Sequence, residues 1–153
     1  MAKKSHQKGF TLIEILVVIG IIAILAAIVI IAINPARQFA QARNSQRTAN
    51  TNAILNAVGQ DIADNKGLFG GVCGNLLPAP TARASVLDGA GVGIDLSCLV
   101  PTYIPALPTD PTLAAGTDTG YDISVNNIGR VTVYAPGGIE AAIPGSLEIS
   151  VTR

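Results

Sequence analysis

Glu14 stands at the head of a long run of apolar residues, beside Phe10, Leu12 and Ile13. An unpaired carboxylate in lipid is costly, so this one calls for a partner. A cut between Gly9 and Phe10 would supply it. The new amino group would lie about one helical turn from Glu14, close enough to pair within a chain or between neighbours. Other chemistry-bearing residues lie further along. Cys73 and Cys98 are the two cysteines. In an exported protein an even pair favours a disulfide, the alternative being two buried free thiols. A bridge closing a loop of this size would stabilise by about 3 kcal/mol in the chain-entropy account. Asp110, Asp118 and Asp122 offer oxygen ligands for calcium, as weak candidates, since their spacing matches no EF-hand. His6, the one histidine, precedes the proposed cut. Histidine-based triads and histidine-liganded zinc are thereby excluded from the processed chain. Gly89, Gly91 and Gly93 alternate, but no strand–turn–helix pattern surrounds them. They read as a flexible surface loop rather than a phosphate cradle. No catalytic group and no cofactor is implied.

The element that must position Glu14 is the apolar run itself. Residues 15–33 carry no charge and, as a helix, are long enough to cross a bilayer core. The run is too long for the apolar part of an ordinary signal peptide. Lys3, Lys4 and Lys8 all precede it, which places residues 1–9 in the cytoplasm and the remainder outside. Gly20, Ala23, Ala26 and Ala27 would permit close helix contacts, although such residues are also ordinary membrane-helix composition. Asn34 and Pro35 end the run, and a kink or local unwinding is expected there. Residues 36–66 then read as an amphipathic helix. Asn50, Ile54, Leu55, Val58 and Ile62 share one side, while Arg37, Gln41, Asn44 and Arg47 lie largely on others. Gly67 is the expected terminator. Taken as one helix from Phe10 to Lys66, the span would be roughly 85 Å long.

The C-terminal part is patterned differently. Residues 68–118 are irregular and rich in Gly and Pro, with room for short strands or a helical turn. Residues 121–125 and 130–135 alternate about an Asn126-Asn127-Ile128-Gly129 turn and read as a hairpin. Leu147, Ile149 and Val151 alternate in a last strand. The reading is α+β: a long N-terminal helix packed on a small head with three to five antiparallel strands. Four regions follow: a leader (1–9), an apolar helix (10–34), its amphipathic continuation (35–66) and a head (67–153).

Charge narrows the partners. The whole chain has ten basic and ten acidic residues. Removing residues 1–9 takes three lysines and leaves a formal charge of −3 before the new terminus is counted. Nothing in this balance reads as a nucleic-acid-binding surface. Arg37, Arg43 and Arg47 form the one cationic cluster of the processed chain. It reads either as a solvated helix face or as a set of partners for acidic residues on a neighbouring head.

Lys8-Gly9-Phe10-Thr11-Leu12-Ile13-Glu14 with its apolar run resembles the N-terminal signature of type IV prepilins and type II secretion pseudopilins, over residues 8–32. The resemblance implies that a membrane peptidase cuts after Gly9 and N-methylates Phe10. It also implies that Glu14 pairs with the amino terminus of a neighbouring subunit during assembly. The segment Leu107-Pro108-Thr109-Asp110 is similar to a stretch that precedes the sheet in many pseudopilins, some of which bind calcium nearby. The expected protein is a pilus subunit, held in the cytoplasmic membrane before assembly and extracellular after it. Its partners would be membrane lipid, the prepilin peptidase, the assembly machinery and copies of itself in a helical filament. A secretion pseudopilin or minor pilin is the near alternative. A membrane-anchored adhesin or DNA-uptake module is the alternative from another class.

Overall fold

The computed structural model describes residues 9–69, 77–78, 82–114 and 116–153. Two compact units are present, residues 1–38 and residues 39–153.

The first unit is dominated by helix α1, Leu12–Ile33. Its sequence is rich in Ile and Val, which are poor helix formers in water. In lipid the balance changes, because each backbone N–H and C=O must be satisfied within the segment, and a helix does that. None of its side chains is buried within the chain. Thr11 starts the helix as its N-cap and Asn34 ends it in a left-handed conformation, φ 48°. Helix α2, Pro35–Asp64, begins at the next residue. Asn34 also opens α2, its carbonyl and its Oδ1 both accepting from the Arg37 amide. The expected break is therefore carried by Asn34. Pro35 takes the first position of α2, where its missing N–H has no helical partner to lose.

In the second unit α2 lies on a five-stranded sheet. The strands are β1 (Arg83–Leu87), β2 (Ile94–Asp95), β3 (Asp118–Val125), β4 (Val131–Ala135) and β5 (Ile149–Thr152), in spatial order β2-β1-β3-β4-β5. All neighbours are antiparallel except β1 and β2. The fold is α+β, as the sequence implies. Ile54, Leu55, Ala57 and Val58 of α2 meet Val86, Tyr121, Ile123, Val131, Val133 and Ala135 of the sheet. Leu96, Leu99, Ile104 and Leu107 close the core from the loops. Each fully buried aliphatic side chain of this kind stabilises by roughly 1.5–3 kcal/mol.

Local geometry departs from the sequence reading in several places. Helix α2 stops at Asp64, not Lys66, because Lys66 itself turns left-handed (φ 58°) and the Gly67 amide reaches back to the Ile62 carbonyl at 2.8 Å. Leu147 is exposed and lies outside β5, which begins two residues later. The expected flexible loop at Gly89–Gly91–Gly93 is a tight connection between β1 and β2. A Cβ on Gly93 would stand 2.4 Å from the Ser85 carbonyl oxygen, so the backbones approach more closely than any other residue allows. The Asp95 carboxylate fastens this connection by accepting from the amides of Gly89 and Ser97 at 3.1 and 2.9 Å. The hairpin turn between β3 and β4 is closed by Asn126, whose Oδ1 accepts from Ile128 and Arg130, with Gly129 at φ 82°.

Candidate functional site

The N-terminal site is built on the first turn of α1. Gly9 and Phe10 precede the helix in an exposed, non-helical segment, and a Cβ on Gly9 would meet nothing within 4 Å. Thr11 and Glu14 form a capping box. The Glu14 amide donates to Thr11 Oγ1 at 3.3 Å, and Glu14 Oε2 accepts from the Thr11 amide and hydroxyl at 2.8 and 2.7 Å. Both bonds to the carboxylate fall on one oxygen and both come from one residue, so Glu14 is held at the very start of the helix. Phe10 itself stands outside the helix and Thr11 is extended (φ −82°, ψ 151°), so the helix starts at Leu12 and not at Phe10 as the sequence suggests. The capping box has a sequence signal, Thr-x-x-Glu ahead of an apolar run. That signal is contained in the motif but says more than the motif does: it fixes where the carboxylate points before any processing.

Behind this turn α1 presents an apolar surface on every side. Phe10, Leu12, Ile13 and the remaining large side chains up to Ile33 are exposed within the chain. Gly20, Ala23, Ala26 and Ala27 are exposed with them. Such a cylinder requires lipid or other helices around its full circumference.

The head contains a second, unforeseen constellation. Arg47 lies on the face of α2 that the sequence pattern assigns to water, yet it is 1% exposed. Its guanidinium makes a two-pronged bond to Asp110, Nε to Oδ2 at 2.6 Å and Nη2 to Oδ1 at 3.0 Å. Nη1 reaches Glu140 at 2.6 Å, and Arg43 grips the same carboxylate at 2.7 and 2.6 Å. Burial alone would raise the Asp110 pKa. The bonds from Arg47 and from the hydroxyl and amide of Thr112 outweigh it and hold the group at about 2. Glu140 is also brought down to about 2, chiefly by Arg43 and then by Arg47. Arg47 is pushed up from its ordinary value, first by its bond to Asp110. Neither reading of the arginine cluster holds for Arg43 and Arg47, because both find their acids inside their own chain. Arg37 is the exposed member.

This pairing bears on the calcium candidates. Asp110, Asp118 and Asp122 do line one shallow depression. Asp110 is committed to Arg47, Asp122 accepts from Arg83 at 2.6 Å, and Asp118 accepts from the Gly120 amide at 2.9 Å. Among the described residues no group of three or more His, Cys, Asp or Glu is placed to hold a metal ion. Cys98 sits in a short 3-10 turn, Ser97–Leu99, half-buried against the core. Cys73 lies outside the described residues.

No curated protein and no solved structure matches the chain. Residues 4–33 do match a family model, that of the prokaryotic N-terminal methylation motif. With Gly9, Phe10 and Glu14 inside that match and a bare apolar helix behind them, the N-terminus of this chain carries the methylation signature of type IV prepilins and pseudopilins.

Proposed function

We propose that the chain is a structural subunit of a type IV pilus. The observation that carries the reading is α1, a 22-residue helix with no buried side chain, headed by a single carboxylate inside a methylation motif. In the membrane lipid covers the helix. In a filament copies of the same helix must cover it, which makes the fibre a homo-oligomer with helices in its core and heads on its surface. Cleavage between Gly9 and Phe10 frees the amine, N-methylation follows on Phe10, and Glu14 of one subunit pairs with that amine on a neighbour. Lys3, Lys4 and Lys8 keep the leader on the cytoplasmic side until it is cut. After export, Cys73 and Cys98 close a disulfide that ties down the segment between α2 and the sheet. The chain acts through assembly rather than catalysis.

The test is mass spectrometry of filaments sheared from the source cell, read for the N-terminal peptide and subunit abundance. The expected result is an abundant chain beginning at N-methylated Phe10, with Cys73 and Cys98 recovered as one linked peptide pair. Filaments lacking the chain, with the cut form left in the membrane, would assign it to a secretion system or to a minor subunit. A chain beginning at Met1 or Ala2 would overturn the processing step.

A further inference from the structure

The head has two unlike ends. Strands β1 and β3 are antiparallel and Leu87 stands opposite Asp118, so the β1–β2 connection and the start of β3 share one end. The β3–β4 turn marks the other, roughly 23 Å away along β3 at about 3.3 Å per residue. Between the last turns of α2 and the start of β4, this second end holds an apolar groove of about 460 Å³. Leu55, Val58, Gly59, Ile62 and Val131 line it, with Arg153 at its rim. The first end carries a projection instead. Gly91 and Gly93 lie against β1, where a Cβ would stand 2.8 Å from Leu87 Cδ1 and 2.4 Å from the Ser85 carbonyl oxygen, respectively. Val92, between them, is turned outward and is 100% exposed.

Charge divides along the same axis. Arg43, Arg47 and Arg83 are taken up in ion pairs with Asp110, Asp122, Glu140 and Glu148. The other charged side chains are sorted by end. Asp88, Asp95 and Asp118 surround the projection, and residues 84–95 contain no base. Asp95 is spent on the amides of Gly89 and Ser97, whereas Asp88 is exposed. Lys66, Arg130 and Arg153, all exposed, flank the groove. The acids at that end are turned elsewhere: Asp61 is buried and accepts from Asn65, and Asp64 is bonded to Tyr103. We propose that the two ends dock on each other in successive copies of the chain. Val92 of one head enters the groove of the next, and Asp88 is set against Arg153. The occupant is a second copy because both halves of the contact lie on this chain, an aliphatic side chain ringed by acids and an apolar groove ringed by cations. Burial of Val92 supplies attraction, and the rim charges fix orientation. A contact between unlike ends does not close in a pair of copies; repeated with a rise, it builds an open helical array. The inference rests on the chain being a fibre subunit and adds which surfaces of the head meet.

Val92→Cys and Gln60→Cys, combined in one chain, put a thiol on the projection and another at the groove. Fibres sheared from the source cell are treated with a short bis-maleimide and separated by size after denaturation. The double variant should give a ladder of linked chains, and each single variant none. Fibres of the double variant that yield only single chains overturn the end-to-end contact and leave the pilus reading standing. Linked pairs from Val92→Cys alone assign a contact between like ends and overturn the proposal as well. Fibres that lack the wild-type chain overturn the pilus reading, and the contact with it. Charge reversal supplies a second readout should the cysteines impair assembly. Asp88→Arg and Arg153→Asp should each lower fibre yield several-fold at an unchanged amount of cut subunit, and the two together should restore it. Wild-type yield from both single reversals, or no recovery in the double, overturns the proposal.

Discussion

Arg47 and Asp110 meet across 63 residues of sequence in a two-pronged ion pair, with both side chains almost wholly removed from water. The pair joins α2 to the segment before β3, and Glu140 extends it to the segment after β4. Burying a charge without a partner is far more costly than burying a pair, so the arrangement is intolerant of losing one member.

Asp110→Ala should accordingly destabilise the head by about 3 kcal/mol, the lower end expected for a broken buried pair, since Glu140 still faces Arg47. Arg47→Lys should be nearly as harmful, because an ammonium cannot reproduce the fork. Urea unfolding of the full chain in detergent, followed by circular dichroism, measures both. A loss within experimental error for Asp110→Ala would show that the pair contributes nothing net.

Acid should weaken the same joint. Asp110 and Glu140 sit at about 2 in the folded chain, below their ordinary values near 4. The unfolded chain thus binds protons more readily. The stability these groups contribute is complete above roughly pH 5 and is lost as pH falls through 4 towards 2. The urea midpoint should drop across that window, and Glu140→Gln should flatten the drop. An unchanged slope in Glu140→Gln would place the acid sensitivity elsewhere.

Two glycines should respond in opposite directions. Gly59 lies in an exposed part of α2, and a Cβ there would meet nothing within 4 Å. Gly59→Ala should raise stability by about 0.8–1 kcal/mol, the helix-propensity difference. Gly93→Ala forces a Cβ against the Ser85 carbonyl and should cost about 1–3 kcal/mol, as overpacking does. Thermal unfolding of the two variants in parallel gives both signs.

Glu14→Val should still insert and still be cut after Gly9, yet give few filaments, because the freed amine then has no carboxylate to meet. Immunoblotting of membrane and sheared fractions separates processing from assembly. Normal filament yield would remove the pairing argument.

Much of this architecture is legible in the residues, and the exceptions share a cause. The apolar helix, the β3–β4 hairpin and the buried stripe of Ile54, Leu55 and Val58 follow from periodicity, which is local. Strands β1 and β2 do not, because Gly and Pro around them mask short runs that take shape only in pairing, β1 against β3 and β2 against β1. Arg47 is the clearest miss. A charge on a helix reads as solvent-facing until its partners are known, and Asp110 and Glu140 lie 63 and 93 residues away. The segment between β4 and β5 is hidden for the same reason: Glu140 looks like a surface residue until Arg43 and Arg47 turn it inward. The Glu14 capping box was available from Thr11 and needed only to be separated from the motif that contains it.

The joint at Arg47 also has a mechanical meaning. In the proposed fibre, a subunit under tension would be pulled along its helices. Where that pull passes from α2 into the head, one side chain grips a segment on each side of the β3–β4 hairpin. Bonds to Asp110 and to Glu140 are loaded side by side, so they share the force and yield together instead of peeling one after the other. In the proposed fibre such a joint would make the head part from its helix as a block rather than by gradual stretch.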